Sequence, residues 1–278
     1  MQTERAELAG SLVCVGLGMT LGAHISPRSR SHIEQAEVVF AAVSDPLVEL
    51  WLQQMHADVR SLQPFYGEGK SRLQSYREMV EAMLAEVRAG KRVCGAFYGH
   101  PGVFALAPHQ AIEQARQEGF RAHMEPGISA EDCLYADLGI DPGRYGCQHF
   151  EASQFMFYQR TIDPSAYLVL WQIGIAGDRS FRRFETESAY RQLLVELLLE
   201  TYPRDHLVTI YEAATLAIQS PRIESVPLHQ LATTPTYLQS TLVVPPCQSM
   251  RRNELMLARI EQLERELEKH AAVVPTSV

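Results

Sequence analysis

Residues 92–102 read Arg-Val-Cys-Gly-Ala-Phe-Tyr-Gly-His-Pro-Gly, a short apolar run that empties into a turn cluster. A run of this length bounded by glycine and proline reads as a buried strand, and Gly99-His100-Pro101-Gly102 ends it. The same pattern recurs on both sides. Ser11 to Val15 leads into Gly16-Leu17-Gly18, and Arg121 to Glu125 leads into Pro126-Gly127. Apolar runs at Val38 to Val43 and Val59 to Leu62 add two more strands, with a short helix expected from Ser31 to Ala36. Ser71 to Ala89 places Leu73, Tyr76, Val80, Met83 and Val87 at helical spacing, closed by Gly90, and a further helix is expected from Pro108 to Glu118. Strands alternating with helices in this way imply a largely parallel sheet with crossover helices.

Beyond Ile128 the rhythm changes. Gln148 to Ala152, Tyr167 to Ile173, Leu207 to Tyr211, Arg222 to Pro227 and Thr241 to Val244 read as strands, and Tyr190 to Thr201 as a helix. Longer gaps and a late cluster of strands predict a mixed sheet. The expected organisation is a polar tail over 1–10, an α/β subdomain over 11–127, a second α/β subdomain over 128–247, and a helix and tail over 248–278, with a cleft between the two units. Met250 to His270 carries Met256, Ile260, Leu263 and Leu267 as a heptad-like seam, which either packs on its own domain or self-associates.

With 278 residues, 46% of them apolar, the chain is long enough for one large or two smaller units. A net charge of −8 leaves no basic field for a polyanion, so nucleic-acid binding is not expected. The five cysteines are odd in number and never form a Cys-x-x-Cys pair, which predicts reduced thiols and a cytoplasmic location. Leu8 to Pro27 is uncharged but interrupted by glycines, and it predicts neither a targeting segment nor a membrane span. No His-Glu-x-x-His or comparable spacing occurs among the ten histidines, so no metal is expected.

Glycine and proline loops at neighbouring strand ends suggest one pocket lined by main chain, because ligands of open α/β sheets bind beyond the carboxyl ends of the strands. Gly16-Leu17-Gly18 alone is a weak signal, since Leu21 stands where a dinucleotide fingerprint has its third glycine. Arg72 and Tyr76 lie four apart on one helix, with Tyr66 in the loop before them. A guanidinium beside phenols lowers a tyrosine pKa toward a usable base. The plain alternative is a core tyrosine next to a solvated arginine.

Taken together, Gly16-Leu17-Gly18, Tyr98-Gly-His-Pro-Gly102, Pro126-Gly-Ile-Ser-Ala130 and Tyr211-Glu212-Ala213 resemble the tetrapyrrole methylase superfamily. Phe65-Tyr66, Arg72, Tyr76, Phe97 to Phe104 and Glu151-Ala-Ser-Gln-Phe-Met156 resemble more narrowly the borosin peptide backbone α-N-methyltransferases. The resemblance implies a bilobal α/β tetrapyrrole-methylase-like fold, with S-adenosylmethionine in the interlobe cleft and S-adenosylhomocysteine as product. It implies that Tyr98, His100, Val103, Phe104, Ser129, Ala130, Gln172, Ala213 and Thr241 hold the cofactor, and that Tyr66, Arg72, Tyr76 and Tyr98 are catalytic. Residues 247–278 leave little room for the clasp and core peptide of fused borosins, so the resemblance is to the split type. That type implies a separate precursor peptide as substrate and a homodimer, or a heterotetramer with two precursors. The alternatives are a carbon methyltransferase acting on a tetrapyrrole or corrin precursor, and a cofactor-binding scaffold without turnover.

Overall fold

The computed structural model describes residues 9–43, 45–67 and 69–273; residues 1–8 of the expected tail over 1–10, and the last residues 274–278, lie outside them. The first sheet contains β1 (Ser11–Gly16), β2 (Val38–Ala42), β3 (Val59–Ser61), β4 (Arg92–Phe97) and β5 (Arg121–Met124) in the order β3-β2-β4-β1-β5. Every pairing is parallel. Neighbouring β4 and β1 send their following connections in opposite directions across the sheet, which opens a crevice at their carboxyl ends.

Period-two alternation loads both faces of this sheet. Leu12 and Cys14 of β1 pack with Met79, Met83 and Val87 of α3 (Arg72–Arg88) and Ala111 and Ala115 of α4 (Leu106–Gln117). Val13 and Val15 face the other way, against Ile33 of α1 (Pro27–Gln35) and Leu52 of α2 (Pro46–Met55). Helix α1 begins earlier than its apolar pattern suggests, because Ser26 caps it and Pro27 opens its first turn. No apolar stripe in the sequence announces α2. Its cap, Asp45 followed by Pro46, is a clear start signal, but Leu47 and Leu50 are exposed and blur the stripe.

In the second sheet β6 (Cys147–Glu151), β7 (Tyr167–Trp171), β8 (Leu207–Glu212), β9 (Arg222–Pro227) and β10 (Thr241–Val244) are ordered β6-β7-β10-β8-β9. Only β6 and β7 run parallel, so this sheet is mixed. One face is covered by α8 (Ser188–Leu199) through Leu194, Val195 and Leu198. The other receives Leu134 of α5 (Ala130–Leu138), which packs on Val169, Trp171, Tyr211 and Val243. Helix α5 thus follows a strand of the first sheet yet packs on the second. It escaped the sequence reading, as did α6 (Pro142–Tyr145) and α7 (Ala152–Phe157), since each is too short for a full apolar stripe.

The terminal helix α9 (Glu254–Val273) does not pack its seam on this chain: Met256, Ile260, Leu263 and Leu267 are all exposed. Among the described residues no helix is long and apolar enough to cross a membrane.

Candidate active site

Three strand-end turns of the first sheet meet at the crevice. Gly18 N–H donates to the Gly99 carbonyl at 3.1 Å, and Gly99 N–H donates back to that of Gly18 at 2.9 Å. A Cβ on Gly16 would lie 2.5 Å from the Gly99 oxygen and 2.6 Å from Gly127 Cα, and one on Gly127 would lie 2.4 Å from the Gly99 oxygen. Those two glycines are therefore required by main chain packed on main chain, which brings the three turns into one wall.

The opposite wall belongs to the second lobe, and both side chains and main chain join the two. Thr20 Oγ1 donates to the Ala214 carbonyl at 3.4 Å and Leu21 N–H to that of Thr215 at 3.0 Å, placing the segment after Ala213 against the first wall. The rings of Phe104 and Trp171 lie 5.4 Å apart. At the start of α3, the Arg72 N–H donates to the Phe181 carbonyl at 2.8 Å, and its guanidinium reaches the Arg183 carbonyl and, at 3.4 Å, Asp178 Oδ2. Phe104, Gln172 and Phe181, the described non-glycine residues with positive φ (49°, 60° and 55°), all sit on this seam. Left-handed backbone at such residues costs of order 1–3 kcal/mol each and persists where the surroundings dictate it, often at functional sites.

The sequence-predicted cofactor contacts gather at these strand ends in two different states. Tyr98 and Phe104 present exposed rings, at 58% and 49%. His100 is spent on its own turn, its Nδ1 accepting the Gly102 N–H at 2.9 Å, and the turn continues as Val103 N–H donates to the His100 carbonyl. Ser129 caps α5: its Oγ accepts the Asp132 N–H, and Asp132 Oδ2 accepts both the N–H and the hydroxyl of Ser129 at 2.7 Å. That reciprocal box accounts for the Ser129 hydroxyl by helix capping, and Ala130 opens the helix. In the second lobe Gln172 follows β7, Ala213 follows β8, and Thr241 begins β10 opposite Tyr211, so all three share one end of that sheet.

Tyr66 ends a short 3-10 turn tied to α3, since the Phe65 carbonyl accepts from Ser75 Oγ at 2.9 Å and Lys70 Nζ at 2.8 Å. Its ring meets that of Tyr76 edge-on, 6.3 Å between centroids. Burial pushes the Tyr66 phenol well above its ordinary pKa, the neighbouring Tyr76 and Tyr98 push the same way, and Arg72 opposes them least effectively. Desolvation by the cleft walls, then Tyr76, also raises the Tyr98 phenol. Of the two phenols expected to be drawn toward phenolate, Tyr66 is pulled down by Arg72, but burial and the neighbouring phenols outweigh that pull and the net direction is up. The guanidinium is turned to Asp178 and a carbonyl, and the Tyr66 phenol is neutral at rest.

Asp178 was not singled out in the sequence, nor were Trp171 and His149. Burial alone would raise the Asp178 carboxyl, but Ser180 Oγ and N–H, the Arg183 N–H and Arg72 hold it below its usual range. Asp178-x-Ser180 is a signal that sequence does carry, an aspartate turn after Gly177. Trp171 Nε1 donates to His149 Nδ1 at 3.1 Å. Indole is a donor only, so the imidazole proton sits on Nε2, facing the Tyr135 hydroxyl at 2.8 Å, which in turn donates to Glu131 at 2.9 Å.

The model of the tetrapyrrole (corrin/porphyrin) methylases matches residues 11–232. A methyltransferase/cyclic-peptide gymnopeptides precursor of Gymnopus fusipes is 40% identical over 93% of this chain and 64% of its own length. A methyltransferase/type I borosin cyclic peptide precursor of Coprinopsis marcescibilis is 43% identical over 80% and 58%, and a methyltransferase/omphalotin A precursor of Omphalotus olearius is 38% identical over 95% and 64%. The chain therefore spans somewhat less than two thirds of these relatives. Among solved structures, a uroporphyrin-III C-methyltransferase of Thermus thermophilus superposes with a TM-score of 0.60 at 18% identity, over 86% of this chain and 93% of its own. A cobalt precorrin-4 methyltransferase does so with 0.58 at 18%, over 84% and 94%. The sheet order, the convergent strand-end turns and the match across both lobes lead to one conclusion: the chain belongs to the family of tetrapyrrole (corrin/porphyrin) methylases.

Proposed function

We propose that this protein is an S-adenosylmethionine-dependent methyltransferase that N-methylates backbone amides of a precursor peptide. The observation that carries the reading is the Tyr66–Tyr76 pair, with Arg72 and the strand-end Tyr98 close enough to act on the Tyr66 phenol. The relatives' names, each joining a methyltransferase to a cyclic-peptide precursor, support a peptide as the substrate. They join enzyme and precursor in one product, so they lend nothing to the expectation of a separate precursor, which the experiment below tests directly.

The crevice suits the cofactor chemically. Exposed rings of Tyr98 and Phe104 offer π faces to a sulfonium cation and an adenine, and Val103, Ala130 and Ala213 offer small apolar walls. Main chain at the glycine turns, Gln172 and Thr241 complete the set that would hold it, with His100 and Ser129 acting through the turn and the cap they build. Bound there, the cofactor supplies an activated methyl group.

An amide nitrogen is a poor nucleophile because its lone pair is delocalised into the carbonyl. The neutral Tyr66 phenol donates a hydrogen bond to the amide oxygen as charge develops there. Tyr76, which faces it, first loses its phenolic proton to solvent and then accepts the amide proton, returning to the phenol. Arg72, held by Asp178, contributes the cation that steadies the charge, and Tyr98 aligns the nitrogen with the methyl donor. The exposed seam of α9 supports self-association, as a homodimer or as a heterotetramer with two precursors. All five cysteines are free, which supports work in the reducing cytoplasm.

Co-expression with a candidate precursor on a second plasmid, followed by intact-mass analysis and fragmentation, tests the reading. Successive one-methyl increments on backbone nitrogens are expected. Methyl groups confined to side chains, or transfer only to a corrin precursor, would overturn it.

A further inference from the structure

The carboxylate of Glu125, immediately after β5, is nearly buried, at 7% exposure, and gathers more donors than its charge needs. Its Oε1 lies 2.9 Å from Arg28 Nε, 3.2 Å from His123 Nε2 and 3.5 Å from His32 Nε2. The arrangement is fixed by the fold. His123 and Glu125 are two apart along an extended segment, and the Glu125 N–H remains tied to the Cys14 carbonyl at 2.9 Å, so both side chains leave the same side. Arg28 and His32 are four apart on α1, hence on one face, and the fully buried Ile33 anchors that helix to the sheet. The two imidazoles meet edge to face at 5.4 Å.

We infer that His32, His123 and Glu125 form a binding site for a divalent transition metal of the zinc type, with Arg28 as a displaceable occupant of the carboxylate. Zinc held at about 2.0–2.2 Å by imidazole nitrogen and carboxylate oxygen separates its tetrahedral ligands by roughly 3.3–3.5 Å. The carboxylate-to-imidazole distances of 3.2 and 3.5 Å match those edges, and one ligand atom from each residue lies within 4.8 Å of the others. Two imidazoles with one carboxylate leave the fourth position for water. Imidazole favours zinc and its first-row neighbours over magnesium or calcium. The Arg28 side chain is 73% exposed, so it can swing into solvent as the ion takes its place. An ion here clamps α1 to the segment entering Gly127, at the edge of the crevice. Local spacing conceals the site, because His32 and His123 come from distant segments.

The proposal stands apart from methyl transfer, and its test does not read activity. Zinc titrated into the whole protein against a chromogenic chelator is expected to load one equivalent per chain, with a rise in melting temperature, and cobalt in its place is expected to give the intense visible bands of a tetrahedral site. His32→Ala and His123→Ala each weaken uptake by more than about tenfold. Arg28→Ala tightens it several-fold, a result that an adventitious surface histidine site does not produce, and His229→Ala on the second lobe leaves it unchanged. Native-like uptake by a folded His32→Ala/His123→Ala double variant, or no saturable uptake by the folded native chain, would overturn the assignment.

Discussion

The two walls of the crevice are built by different physics. The first-lobe wall is main chain against main chain, where Gly16, Gly99 and Gly127 approach so closely that no side chain fits between them. The second-lobe wall is held by side chains: Asp178 gripping Arg72, Trp171 bonded to His149, and Glu212 accepting from Arg222 at 2.8 Å and from Ser240 at 2.6 Å. A wall of backbone is rigid and indifferent to pH. A wall of charged and titratable side chains is adjustable, and it is the one that positions Arg72.

The largest effect is expected in the first wall. Gly127→Val drives side-chain atoms into the Gly99 carbonyl and Gly16 Cα, both within 2.7 Å of an added Cβ, and should destabilise the fold by about 2–4 kcal/mol in denaturant melts at any pH. Little change in the midpoint would mean that the turns are not packed as described.

Next comes Asp178→Asn, which leaves the Arg72 guanidinium without its carboxylate. A loss of about 1–3 kcal/mol is expected near neutrality. The native Asp178 carboxyl is held below its usual range, so the unfolded chain binds more protons there. Its stabilisation is complete above the unfolded value, about 3.9, and drains away as pH falls through the folded one. The difference between native and variant should therefore shrink on acidification below about pH 4. A constant difference would show that the charge does not matter.

A smaller effect belongs to His149, whose pKa burial lowers against the opposing pull of Glu131. A depressed histidine contributes stability that is complete above its unfolded value, about 6.5, and is lost as pH falls through that value toward the folded one. His149→Gln should flatten this slope, and Trp171 fluorescence should track it in the native chain, since protonation at Nδ1 breaks the indole bond. An identical slope in the variant would place the titration elsewhere.

What could be read from sequence follows the same division. β1, β4 and β5 and their glycine turns were legible because an apolar run and the turn that ends it are local, and the mixed second sheet was legible from its spacing. The stripe of α3 was legible in part, since Val80, Met83 and Val87 are buried but Leu73 is exposed, whereas α5 carries a single fully buried leucine, Leu134, and left no period to read. Tyr66, Arg72 and Tyr76 were legible as neighbours. The direction of the Tyr66 shift was not, because it depends on burial and on Tyr76 and Tyr98, the latter brought in from a distant strand end. Ser129 shows the converse: a residue picked for a ligand has its hydroxyl accounted for by a capping box.

On the proposed function, the phenol pair beside Arg72 moves the amide proton. Single-turnover methyl transfer to a bound peptide, measured for the native chain and for Tyr76→Phe with peptide affinity determined separately, tests it most directly. Unchanged peptide binding and a rate lower by about 10²–10⁴-fold are expected in the variant. A native rate in Tyr76→Phe would contradict it.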